Sequence, residues 1–177
     1  MPKAIPLPPL ELIRELFDYD EVSGIVTWNN PRSNRVRKGT AVGTRKASNC
    51  KKYLKVEITT ERGKFSYMLH RVIWMHVTGE DPGALQIDHI DGNGLNNAFS
   101  NLRKSDASEN QCNTKKRSNN SSGFKGVGWS KLHKRWRARI QFKGREHSLG
   151  LFDTPELAHM AYCKAAAELH GEFARGE

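Results

Sequence analysis

The 177-residue chain has only three cysteines, Cys50, Cys112 and Cys163, widely separated and without a CxxC pair. That spacing argues against a zinc knuckle or disulfide framework and for a reducing compartment. No apolar run approaches the roughly 18 residues of a membrane span. Residues 1–9, rich in proline, lack the apolar core of a signal peptide. A cytoplasmic protein that is neither secreted nor membrane-bound is therefore expected. Acid is missing where base is dense. Residues 32–55 hold nine Lys or Arg and residues 112–145 hold eleven, with no Asp or Glu in either block. One such block reads as a solvated face. Two of them, flanking the segment with Asp81, Asp88 and Asp91, favour a nucleic-acid partner, as does the formal net charge of +10. The basic blocks read as strands and turns, which disfavours a membrane-surface helix. An apolar content of 37% is modest, yet too high for a disordered chain.

Residues 10–17 have the three-and-four apolar spacing of a short helix. Residues 24–28 read as a strand and 29–34 as a loop. From Tyr53 to Thr59 the chain alternates, with Leu54, Val56 and Ile58 on one face, and residues 61–64 close a hairpin. The period then becomes helical from Leu69 to Val77, ending near Gly79. A turn at Asp81-Pro82-Gly83 leads into the strand holding Asp88 and His89. Asp106-Ala-Ser-Glu109 matches a capping box and predicts a helix start. Residues 118–123 form a polar, Gly/Ser-rich linker. Beyond it come three strands, the middle one at 135–143, with Trp136, Ala138, Ile140 and Phe142 opposite a basic, hydrogen-bonding face. Thr154-Pro155 starts a helix whose Leu157, Ala158, Ala161, Tyr162, Ala165 and Leu169 are expected to cover the apolar face of that sheet.

The chemistry-bearing pattern is Asp88-His89-Ile-Asp91-Gly92-Asn93-Gly94, then Asn101-Leu-Arg103, then Glu109-Asn110. A hairpin followed by a helix can set Asp88 and Asn110 side by side as oxygen donors. Few oxygen donors suit Mg²⁺ or Mn²⁺, which keep waters and also bind substrate phosphate. His89, on the opposite side of its strand, is placed to act as general base on an attacking water. Several neighbours have blander readings. Asn93, Asn96 and Asn97 read as turn formers, Asp91 as hairpin geometry, and His70 as a core histidine with satisfied hydrogen bonds. Arg103 is open between a phosphate clamp and an acid's partner.

Residue by residue this resembles the HNH endonuclease family, of the phage and homing type. The resembling signature also takes in Leu69-His70-Arg71, Gly79, Pro82, Asn96-Asn97, Gln111 and Asn113, over about residues 65–115. The resemblance implies His89 as base, Asn101 as the residue that fixes the hairpin and the base, Asp88 and Asn110 as metal ligands, and one Mg²⁺ or Mn²⁺ per site. The C-terminal motifs Gly123-Phe-Lys125, Arg135-Trp136-Arg137-Ala-Arg139, Leu149-Gly150 and Thr154-Pro155 resemble the Apetala/ethylene-response-factor DNA-binding domain. That likeness implies Lys125, Arg137, Arg139 and Gln141 on a DNA face, where an Arg reading guanine is worth roughly 1–3 kcal/mol of discrimination. Gly128 and Glu146-His147-Ser148 depart from the family's usual base contacts, so no target sequence carries over. A sheet with only nonspecific phosphate affinity is the alternative.

The expectation is an α+β protein in four parts. Residues 1–64 form a β-rich DNA-contacting region, including Arg35, Arg37 and Lys38. Residues 65–117 form the nuclease unit, where Arg103, Lys115 and Lys116 add DNA contacts; residues 118–123 are the linker and 124–177 the DNA-binding domain. The expected partner is double-stranded DNA, met as a monomer that nicks or as a DNA-induced dimer. The rival is a DNA-binding regulator with an inactive nuclease unit. An RNA-directed nuclease is disfavoured because no exposed aromatic platform is expected, with Trp136 assigned to the core.

Overall fold

The computed structural model describes residues 5–45, 53–106, 110 and 120–171. The chain divides into two compact units, Met1–Lys104 and Ser105–Glu177. As expected, it mixes helix and strand. The described residues form three α-helices and four small sheets of two or three strands.

In the first unit, α1 (Leu10–Leu16) buries Ile13 and Leu16 and runs directly into β1 (Phe17–Tyr19). Strand β1 pairs antiparallel with β2 (Val26–Trp28). Between them Asp20 Oδ1 accepts the N–H groups of Val22 and Ser23 at 2.9 and 3.2 Å, a side-chain turn. Gly24 completes it at φ 71°. A Cβ there would lie 2.3 Å from backbone atoms of Asn97 and Ala98, so the hairpin meets the later loop at a point only glycine fits. Strands β3 (Thr44–Arg45), β4 (Leu54–Thr60) and β5 (Gly63–Met68) form one sheet in that order. The alternation read from the sequence holds, with Val56 and Ile58 buried and Glu57 exposed.

Helix α2 (Leu69–Thr78) follows β5 without a break and stops where the Gly79 N–H reaches Met75 O. Its Leu69, Val72 and Ile73 join Ile13, Leu16, Phe17, Val56 and Ile58 in one core. Each fully buried side chain of this size stabilises by about 1.5–3 kcal/mol. Strand β6 (Gln86–His89) and β7 (Leu102–Ser105) pair as a two-stranded sheet, with a 3₁₀ turn at Phe99–Asn101 before β7. Ile87 and Leu102 tie this pair to the same core.

In the second unit β8 (Val127–Ser130), β9 (Arg135–Phe142) and β10 (Arg145–Phe152) form an antiparallel sheet with β9 central. Helix α3 (Pro155–His170) packs on it, opened by Thr154 Oγ1 accepting Leu157 N–H at 3.3 Å. Gly126 lies where a Cβ would sit 2.2 Å from the Tyr162 ring, which lets helix and strand close up. Within the segment read as a linker, Asn120 Nδ2 donates to Phe124 O at 2.7 Å and Ser122 Oγ to Val127 O at 2.9 Å.

Two expectations need correction. Leu157 is exposed rather than packed on the sheet, where Ala158, Tyr162, Ala165 and Ala166 make the contact. An exposed aromatic does exist: Trp129 is 48% exposed and packs edge-on against the half-buried Trp136 at 5.2 Å. Among the described residues no helix is long and apolar enough to cross a membrane.

Candidate active site

Strand β6 brings Ile87, Asp88 and His89 inward together, and all three are buried. Strand alternation sends the two polar side chains to different partners. Asp88 meets Arg103 on β7, whose Nε and Nη2 donate to Asp88 Oδ2 at 3.1 and 3.0 Å. His89 turns to Asn97, with Nε2 and Asn97 Oδ1 3.0 Å apart and both residues only 2% exposed. The ring of His89 also packs perpendicular to His70 at 5.1 Å and beside Tyr53 at 5.7 Å.

His70 is not the satisfied core histidine expected. Its Nδ1 is buried without a hydrogen-bond partner among the described residues. Burial, then the neighbouring His89 and Arg71, pushes its pKa down to about 3, so the ring is held neutral.

The loop from β6 to β7 is built around Asp91 and Asn101. Asn101 Oδ1 accepts the Asp91 N–H at 3.0 Å, while its Nδ2 donates to Asp91 Oδ1 at 3.0 Å and Asn96 O at 2.8 Å. Asp91 also accepts the Asn93 N–H at 2.7 Å and Asn96 Nδ2 at 2.8 Å. Burial alone would raise the Asp91 carboxyl. The bonds from Asn96, Asn93 and Asn101, with His89 close by, outweigh it and hold the group below its usual range. Asn101 thus clamps the loop, while Asn97 bonds the imidazole.

The loop is also held from the first hairpin. Tyr19 OH donates to Asn97 O at 2.8 Å, and Phe99 N–H donates to Glu21 O at 3.1 Å. Burial, then Glu21 and Asp20, pushes the Tyr19 phenol up to about 12, so it remains a donor across the ordinary pH range. Asn97, Tyr19 and Gly24 were not singled out as site residues from the sequence. Nothing in the run of asparagines distinguishes Asn97 from Asn93 or Asn96. Its spacing of eight from His89 gains meaning only once the loop is folded.

Of the other residues read as functional, Arg35, Arg37 and Lys38 are exposed on the stretch between β2 and β3. Arg137, Arg139 and Gln141 are exposed together on β9, with Arg139 Nη1 3.1 Å from Glu146. Lys125 is half-buried ahead of β8. Asn110 belongs to the second unit and is helical, its N–H donating to Asp106 O at 3.0 Å. Glu109, Gln111, Asn113, Lys115 and Lys116 lie outside the described residues.

The donor chemistry suits a hard divalent cation. Asp88 offers a buried carboxylate whose Oδ2 already faces a positive charge, that of Arg103. Among the described residues no cluster of three His, Cys, Asp or Glu forms a closed cage.

A family model described as HNH endonuclease matches residues 67–112, which span α2, β6, the clamped loop and β7. Protein 3.8 of Escherichia phage T7 is 41% identical over 106 residues, covering 60% of this chain and 87% of the phage protein. An uncharacterized HNH endonuclease of Acanthamoeba polyphaga mimivirus is 36% identical over 107 residues, 60% of this chain and 54% of its own length. The chain thus spans about half of that viral protein. Among solved structures, one of DNA binding and cleavage by the HNH homing endonuclease I-HmuI aligns with a TM-score of 0.41 and 17% identity, over 87% of this chain and 84% of that one. The chain thus carries an HNH endonuclease domain at residues 67–112 and is an endonuclease of that class. HNH nucleases generally use a divalent metal ion.

Proposed function

We propose that this protein is a metal-dependent endonuclease of double-stranded DNA in which His89 is the general base and Asp88 a metal ligand. The observation that carries the reading is the buried Asp88–His89 pair, each member held by its own partner. His89 takes the proton of the attacking water, a task suited to an imidazole near neutral pH. Asn101 keeps the loop behind it in one shape through its three hydrogen bonds. Bound at Asp88, Mg²⁺ or Mn²⁺ would neutralise charge on the phosphate and ease departure of the 3′ oxygen. Asn110 is proposed as a second ligand on the strength of the resemblance alone. Hydrolysis leaves 5′-phosphate and 3′-hydroxyl ends.

DNA is held by basic surfaces. Arg35, Arg37 and Lys38 are proposed phosphate contacts, as are Lys115 and Lys116 from the sequence. The exposed row Arg137, Arg139 and Gln141 supports an Apetala/ethylene-response-factor-like use of the second sheet, with Lys125 beside it. With one active site per chain a monomer nicks, and a double-strand break needs a dimer or a second encounter.

The deciding assay is cleavage of supercoiled plasmid with Mg²⁺, Mn²⁺ or EDTA, comparing wild type with His89→Ala. Nicked product that requires metal and disappears in the variant is the expected result. Metal-dependent nicking that survives in His89→Ala would overturn the assigned base. DNA binding without cleavage under either metal would favour the regulator with an inactive unit.

A further inference from the structure

We propose that Asn97 is a positioning residue that fixes His89 as its Nε2–H tautomer and so leaves Nδ1 as the basic nitrogen. The inference rests on the reading of His89 as general base. A neutral imidazole has one donor nitrogen and one acceptor nitrogen, and the partner of either one selects which is which. Asn97 Oδ1 can only accept, and it lies 3.0 Å from His89 Nε2 in a pocket where both residues are 2% exposed. Water has little access there to offer the opposite arrangement. The acceptor is itself fixed. Its backbone is pinned: the Asn97 main-chain carbonyl accepts from Tyr19 OH at 2.8 Å, the Gly24 turn abuts the Asn97–Ala98 peptide, and Asn101 Nδ2 donates to the neighbouring Asn96 main-chain carbonyl at 2.8 Å. Perpendicular contact with His70 at 5.1 Å further limits rotation of the base. An imidazole so constrained loses little freedom when the attacking water arrives, which is how a positioned base gains rate.

The test is direct. The full-length protein is labelled with ¹⁵N and long-range proton–nitrogen correlations are recorded at pH 8, His89 being assigned by the signals lost in His89→Gln. Wild type is expected to give the Nε2–H pattern. Asn97→Leu is expected to give mixed tautomers, with kcat for plasmid nicking down roughly 10–100-fold and KM little changed. Asn97→Asp, which keeps the acceptor, is expected to retain the Nε2–H pattern and most of kcat. A wild-type Nδ1–H pattern would mean that the amide donates to the ring instead, and would overturn the proposal; so would wild-type kcat in Asn97→Leu. The wild-type spectrum and Asn97→Asp carry the test even where Asn97→Leu does not fold. Full activity of His89→Ala would remove the base assignment while leaving the tautomer result standing, which separates the two failures.

Discussion

Arg103 places Nε and Nη2 on the same carboxylate oxygen of Asp88, at 3.1 and 3.0 Å, with the two side chains only 12% and 7% exposed. Taking the guanidinium away leaves a buried carboxylate without this cation, a change that costs about 3–5 kcal/mol in comparable pairs. Arg103→Met is therefore expected to lower the urea midpoint strongly in EDTA. Added Mn²⁺ should recover more stability in the variant than in wild type, because the ion can supply the missing charge. Equal Mn²⁺ effects on both proteins would argue against Asp88 as a ligand.

His70 links acidity to stability. Its folded pKa lies near 3 because of burial, against an unperturbed value of 6.5. Folding keeps it neutral while the unfolded chain binds the proton. Its contribution is therefore intact above about pH 6.5 and is lost progressively as pH falls toward 3. The gap amounts to roughly 5 kcal/mol when fully developed. His70→Phe should flatten the fall in urea midpoint between pH 7 and pH 4. Parallel profiles for the two proteins would remove His70 as the cause.

Asn101 is expected to act through the loop rather than on the chemistry. Asn101→Ala removes the side-chain bonds to Asp91 and Asn96, and should cost about 1–3 kcal/mol. Amide exchange at residues 90–98 should quicken and kcat should drop, with DNA affinity unchanged. Unaltered exchange in that loop would count against the clamp.

Gly24 offers a test from a distance. Alanine there places a Cβ 2.3 Å from the Asn97–Ala98 backbone and strains a positive φ. Gly24→Ala should therefore lose both stability and nicking rate, although residue 24 belongs to the first hairpin. An effect on stability with kcat intact would show that the hairpin supports the fold without touching the site.

On the second sheet, Arg137→Ala should weaken binding to double-stranded DNA and lower the salt dependence of log affinity by roughly one unit of slope. Trp129→Ala tests whether the exposed indole adds a stacking contact, which would appear as a larger loss for single-stranded than for duplex DNA. Titrations against salt on full-length protein distinguish the two.

The sequence carried much of this arrangement because much of it is periodic or local. The helix ending at Gly79, the alternation of β4 and β9, and the Thr154 cap follow from spacing and from residues that act on their immediate neighbours. Asp88 and His89 were legible as a pair because adjacent polar residues stand out in an apolar strand. What could not be read were relationships across the chain. Asn97 was one turn-forming asparagine among several until folding placed it on His89. Arg103 left two partners open until β7 lay beside β6. Leu157 followed the helical period, yet its side chain is exposed. Trp129 had no alternation long enough to assign it a face.

The anchoring of Asn97 by Tyr19 and Gly24 also bears on how portable the catalytic segment is. The stretch matched by the family model begins at residue 67, yet the loop that supports its histidine is pinned by a hairpin more than seventy residues before it. A graft cut at the motif boundary would carry every signature residue and the Asn101 clamp, yet lose the outside grip on Asn97. Transplanting this nuclease into a chimera means taking the β1–β2 hairpin along, or engineering a substitute for its grip.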